Sequence, residues 1–322
     1  MFNIVEKRRW FFFISAVLIV PGLLAMVYSI VTTGAPFRLS IDFVGGSIYD
    51  LRFTGDGVTE DGLRDVFARY DDSNVTIQRV VDSQGNERWS VRGQFLEQAE
   101  AEELLANLNT LAPLDRDSTK IERVSQTIGA EVARAAFFAV LAGSVIVSLF
   151  IIIAFRSVPH AFRYGVCAVA AMIHDVLVVL GLASISSLLF GWEVDALFLT
   201  AVLTILAFSV QDSIVLFDRI RENIPQYLGE PYETIVNRSI WETIHRSLAT
   251  QLNAFFIMAA ILLFGGDTIK QFILILFIGL LSGTYSSVFT AAPLLVAWEK
   301  GQLPLVSRIN SIIPPPLPSE EA

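Results

Sequence analysis

Residues 196–218, ALFLTAVLTILAFSVQDSIVLFD, are almost wholly apolar, yet Gln211 and Asp212 stand before their end. About 20 apolar residues rising 1.5 Å each cover the roughly 30 Å hydrocarbon core of a bilayer, so the stretch reads as a membrane helix. A carboxylate inside that core costs about 2.5–3.5 kcal/mol on insertion scales, so it is expected to face protein or water rather than lipid. Asp212 is therefore the first functional candidate.

Other apolar runs flank this one, and six spans are expected in all: 10–31, 132–155, 162–189, 194–217, 246–264 and 269–298. Composition agrees, because 53% hydrophobic residues and a mean hydropathy of +0.58 over 322 residues are too apolar for a soluble globular chain. The first span follows Lys7, Arg8 and Arg9 as a signal peptide would, but its apolar core is long and no small-x-small cleavage site follows, which favours a retained anchor. If the spans alternate, Lys7–Arg9, Arg156, Arg163, Arg219, Arg221, Arg238, Arg246, Lys300 and Arg308 share one side, whereas the opposite loops hold only Lys270. By the positive-inside rule both termini, 1–9 and 299–322, and the loop 218–245 are expected in the cytosol, with 32–131 outside. The net charge of -9 gives no nucleic-acid signal, since the basic residues cluster at the ends of apolar runs. Cys167, the single cysteine, lies in an apolar run and reads as a small packing residue.

Between the first two spans the composition becomes polar and turn-rich, and its periodicity switches twice. Strands are expected at 47–53, 74–81, 87–92 and 118–126, and helices at 59–70, opened by Thr59, and 96–108, with a turn at 82–86. The order β-α-β-β-α-β is the ferredoxin-like pattern, one antiparallel sheet with two helices on one face. The segment has no His, no Cys and no phosphate-cradling glycine loop, so binding is a better reading than chemistry, with a plain spacer as the alternative. Gly45 and Gly46, just before the first strand, mark a tight turn or a close backbone approach.

Inside the membrane, His174 and Asp175 stand in the middle of the third span, about 100° apart on a helix, so both cannot face lipid cheaply. A metal site is not expected, because His160, His174 and His245 are the only histidines and no ligand-spaced cluster accompanies them. Arg246 opens the fifth span, followed inward by Gln251 and Asn253. If the fourth and fifth spans are neighbours, Arg246 reaches toward Asp212 and a ladder of titratable groups runs up to Asp175; the alternatives are a static buried pair or an Arg246 that snorkels to the headgroups. Gly279 and Gly283 give the last span a small-xxx-small face, suited to close packing within the chain or against a partner. The charged stretch 218–242, with Ile220, Ile224, Ile235, Val236 and Ile240 at periodic positions, reads as an amphipathic helix on the membrane surface or a connector. The proline-bearing tail at 312–322 reads as disordered.

Together these residues resemble the SecD/SecF family of bacterial protein-export membrane proteins, relatives of the resistance-nodulation-division transporters. The resemblance is carried by Asp42, Phe43, Gly45 and Gly46, by the His174–Asp175 pair, by 209–215 running into 217–223, by Arg246, by 264–266 and by 283–287. Gln211 and Ser213 stand where the family has Asn and Thr, while the acid between them is kept. The resemblance implies a SecF-like half that pairs with SecD, associates with the SecYEG translocon, meets unfolded preprotein and uses protons as coupling ion in the bacterial cytoplasmic membrane. Asp212, Arg246, Asp175, His174 and Gln211 would then line the proton path. No cofactor is expected, and no Gly-x-Ser-x-Gly or His-Glu-x-x-His motif suggests an enzyme. Two other readings stand beside this one: half of a proton-driven small-molecule or lipid exporter of the same superfamily, and a purely structural assembly factor.

Overall fold

The computed structural model describes residues 3–302 apart from 56, 71, 73–74, 82–86 and 157–160. Helix α1 (Arg8–Thr33) leads through the two-residue strand β1 (Arg38–Leu39) and the single turn α2 (Ile41–Val44) into a small domain. That domain runs β2 (Gly46–Leu51), α3 (Glu60–Ala68), β3 (Thr76–Val81), β4 (Glu87–Gly93), α4 (Gln98–Leu111) and β5 (Lys120–Val124). Long helices follow: α5 (Gln126–Ala154), α6 (Ala161–Phe190), then strand β6 (Glu193–Val194), α7 (Ala196–Gln226), α8 (Tyr232–Phe264) and α9 (Asp267–Ser286), the last continuing through a π turn (Ser287–Ala291) into α10 (Ala292–Glu299).

In the domain the strands lie in the order β3-β4-β2-β5, every pair antiparallel, which is the ferredoxin-like topology. Alternation along β2 sends Tyr49 and Leu51 to one face, where they pack with Val91 and with Leu63, Val66, Phe67, Leu104 and Leu108 from the two helices. Thr59 caps α3 by accepting from the Gly62 N–H at 3.2 Å. A reciprocal Glu97–Glu100 capping box opens α4. The expected turn at 82–86 and the proline tail lie outside the described residues.

Six helices are long and apolar enough to span a bilayer among the described residues, so the chain is a multi-pass membrane protein. They divide into two groups. Half of the apolar window is buried in α6, α7 and the α9–α10 helix, against 6% in α5, 11% in α1 and 17% in α8. The first three therefore form the centre of the bundle. Small residues set the closest crossings: a Cβ added to Gly22 of α1 would sit 2.5 Å from the Gly181 Cα of α6, and Gly279 of α9 lies directly under Ile205 of α7.

The stretch 218–245 differs from the expected surface loop. Helix α7 runs on to Gln226, a turn containing Gly229 at φ +98° reverses the chain, and α8 begins at Tyr232. Ile220, Ile235, Val236 and Ile240 are buried between the two helices instead of lying on a membrane surface. Polar ties reinforce the contact: Asn223 donates to Ser239 at 3.0 Å and to Glu242 at 2.8 Å, and Arg219 pairs with Glu242 at 2.6 Å. The apolar period visible in the sequence is thus a helix–helix seam. At the same end, the N-terminal segment is docked too, with Ile4 and Val5 buried and the Ile4 N–H donating to Asn237 Oδ1 at 2.9 Å.

Candidate functional site: two buried carboxylates and the domain joint

Asp175 on α6 is fully buried at the meeting of α6, α7 and α9. Its Oδ2 accepts from the hydroxyls of Ser209 on α7 at 2.6 Å and Ser286 on α9 at 2.7 Å; its Oδ1 accepts from Ser282 at 2.7 Å and lies 3.1 Å from His174 Nδ1. Ser282 and Ser286 are four residues apart and so share one face of α9. Gly283 between them lets the backbones close up, since a Cβ there would meet the Ser209 Cβ at 3.3 Å and Asp175 Oδ2 at 3.7 Å. The small-residue face of the last span therefore packs within the chain. His174 stacks on Tyr285 with ring centroids 5.9 Å apart, and the Tyr285 hydroxyl donates to the Phe11 carbonyl of α1 at 2.6 Å. The π turn begins two residues later, a local widening of the helix that often marks functional sites.

Asp212 stands one turn along α7 from Ser209 and points to the other neighbour, α8. It is 5% exposed and its Oδ2 accepts from Gln251 Nε2 at 2.8 Å. Arg246 does not join it. Arg246 and Gln211 are both exposed, and Arg246 makes no side-chain hydrogen bond or ion pair among the described residues. The helix period explains this: Ser247 and Gln251, four apart, face inward, and Arg246 is turned about 100° away from Ser247. The expected ladder thus separates into an acid ringed by hydroxyls, Asp175, an acid held by the neutral side chains of Gln251 and Ser247, Asp212, and two polar side chains, Gln211 and Arg246, on the outer surface of α7 and α8.

The motif before β2 forms a joint between domain and bundle. Asp42 Oδ2 accepts from the Ala196 N–H at 3.0 Å, and Asp195 Oδ1 accepts from the Phe198 N–H at 2.8 Å, so two carboxylates satisfy the start of α7, where the helix dipole favours negative charge. Burial, with Asp42 nearby, holds the Asp195 carboxyl above the usual range. Phe43 is buried. Gly45 and Gly46 have φ of +76° and +132°, which L side chains rarely adopt. Gly45 also meets Gly129 of α5, whose added Cβ would lie 2.8 Å from the Gly45 nitrogen. Close by, β1 pairs in parallel with β6, and Arg92 of β4 forms an ion pair with Glu193. Burial pushes the Glu193 carboxyl up, partly offset by the Arg92 charge. Neither this pair nor the role of Ser209 and Ser282 as donors to Asp175 is legible in the sequence. The i,i+4 spacing of Ser282 and Ser286 in an apolar span was the one visible hint of the latter.

Residues 104–301, which hold both carboxylates, match the model of the protein export membrane protein SecD/SecF C-terminal family, and 30–56 match the SecD/SecF GG motif, which contains Asp42, Gly45 and Gly46. The chain belongs to the SecD/SecF family of protein export membrane proteins. Within the family it is similar to the protein translocase subunit SecF of Anaerolinea thermophila, 45% identical over 94% of this chain and 96% of the relative. The SecF of Thermobaculum terrenum is 38% identical over 93% and 94%. A crystal structure of SecDF, a translocon-associated membrane protein from Thermus thermophilus, superposes with a TM-score of 0.74 at 32% identity, covering 93% of this chain. A SecDF structure in a super-membrane-facing form gives 0.61 at 28% identity, covering 97% of this chain. The chain spans only 39% and 40% of those two longer chains.

Proposed function

We propose that this chain is the SecF half of a SecD–SecF complex that works beside the SecYEG channel and uses the proton gradient to draw unfolded preproteins outward late in export. It carries no catalysis of its own. The membrane is the bacterial cytoplasmic membrane, with both termini in the cytosol and the ferredoxin-like domain outside, as the distribution of Lys and Arg favours. SecD covers the face of α7 and α8 that presents Gln211 and Arg246, since polar side chains on membrane helices otherwise meet lipid at a cost.

The observation that carries the reading is the environment of Asp212. It is a buried carboxylate in a spanning helix whose hydrogen-bond donors are the neutral side chains of Gln251 and Ser247, so a proton gained there displaces few bonds and meets no fixed counter-charge. Each charge moved across the membrane is worth about 2.3 kcal/mol per 100 mV, comparable to a modest two-state bias. Replacing Asp212→Asn is expected to abolish the stimulation of export by a proton gradient while leaving co-purification with SecD unchanged. Undiminished stimulation in that variant refutes the proton role.

A further inference from the structure

We propose that the Arg92–Glu193 ion pair is a latch: it holds the ferredoxin-like domain docked against the ends of α7 and α9, and it opens and remakes during the working cycle. This deepens the proposed export function and rests on it.

The pair sits where the elements that carry the buried carboxylates meet the domain. Glu193 lies two residues before the Asp195 cap of α7, the helix of Ser209 and Asp212, and its backbone carbonyl accepts from Gln271 Nε2 of α9 at 2.8 Å. The Glu193 side chain takes Arg92, whose other nitrogen Nη2 donates to the Leu39 carbonyl of β1 at 2.8 Å. Arg92 stands on β4, which is paired on both sides in the sheet, so force at Arg92 is passed to the whole sheet rather than to an edge. On either side of the pair the sheet and the bundle are separated by open clefts of about 410 and 380 Å³, both lined by Arg92 and Glu193. Phe37 borders the first cleft and Trp192 the second. Here a charged contact bridges open space. A contact of this kind, with side-chain exposures of 24% and 27%, is directional and separable in a way that an interdigitated apolar core is not.

The second attachment of the domain differs in kind. At Asp42, Gly45 and Gly46 the chain is pinned to α5 and to the start of α7, and two glycines at positive φ let the backbone turn tightly against α5 there. A close-packed pivot at the base with a separable ion pair beside it is the arrangement of a lever with two attitudes.

The test clamps the domain without touching the pair. Ser90 and Trp192 line the same cleft, so Ser90→Cys with Trp192→Cys, in a Cys167→Ala chain assembled with SecD, is joined across the cleft by a reductant-cleavable bifunctional maleimide. The clamped complex is expected to lose gradient-stimulated export and to recover it on reduction. Export by the clamped complex at the unclamped rate overturns the latch. In a second arm, Arg92→Glu and Glu193→Arg are each expected to lose the stimulation and to broaden spin-label distances between domain and bundle. The double exchange is expected to restore both, and a double variant that melts normally yet restores neither also overturns the proposal. Asp212→Asn run in parallel separates the two readings. Normal export there removes the proton role, while the clamp result still reports on the latch.

Discussion

Asp175 and Asp212 are two acids of one residue type with opposite surroundings. Asp175 accepts from three hydroxyls and lies beside the His174 ring nitrogen, so removing it strands donors in a region without water. Asp175→Ala is expected to destabilise the bundle by about 2–5 kcal/mol, since each orphaned buried donor costs about 1–3 kcal/mol and some, like Ser286 beside the Gly283 carbonyl, find another acceptor. Asp175→Asn keeps the shape and one acceptor oxygen and is expected to cost less than half as much. Equilibrium unfolding in detergent measures both, and equal stability of the two variants would show that the serine cluster does not bind the helices together. Both acids were legible in the sequence, because a carboxylate in an apolar span is conspicuous. Their partners were not. A serine or threonine in a membrane helix can be satisfied by its own helix, as Ser144 is by the Val140 carbonyl at 2.8 Å and Thr204 by Thr200 at 2.7 Å, so nothing local marks Ser209 or Ser282 as donors to an acid. Arg246 shows the reverse case: opposite charge suggested a pair, and a turn of about 100° on the helix removed it.

At the scale of elements, the glycines decide which helices touch. Gly279 lies against the Ile205 side chain, and this crossing brings Ser282 and Ser286 to Asp175. Gly279→Leu is expected to force α9 from α7 at about 1–3 kcal/mol, the usual cost of overpacking, with part of the loss recovered by Ile205→Ala. Gly143 in α5 offers the contrast, because an added Cβ meets only the Leu203 side chain at 3.8 Å. Gly143→Ala is expected to be neutral within about 0.5 kcal/mol or slightly stabilising, as a helix favours alanine over glycine. Thermal melts of the two variants check the difference, and equal effects would mean that the α7–α9 crossing is not set by Gly279. The strands and helices of the ferredoxin-like domain were readable because their apolar periods are local. The ends of α7 and α8 were misjudged because the period at 220–240 is the same whether the apolar face meets a membrane or another helix.

At the scale of the molecule, the bundle has a buried centre and an exposed periphery. Three helices are half buried and α1, α5 and α8 hardly at all, with Gln211 and Arg246 on the outer surface of α7 and α8. A single cysteine at Gln211 in a Cys167→Ala chain is expected to react readily with a maleimide when the chain is alone and to be shielded when SecD is co-assembled. Unchanged reactivity would place the partner elsewhere. The domain is tied to the bundle through Asp42, Gly45 and Arg92.

Hydropathy and period are properties of neighbours along the chain, so they alone determined the six spans, the β-α-β-β-α-β order and the presence of acids within the membrane. Hydrogen bonds between residues dozens or hundreds apart depend on how closely the helices approach and how each is rotated. The serine shell of Asp175, the Gln251 partner of Asp212, the outward turn of Arg246 and the Arg92–Glu193 contact were therefore decided only when helices and domain packed together.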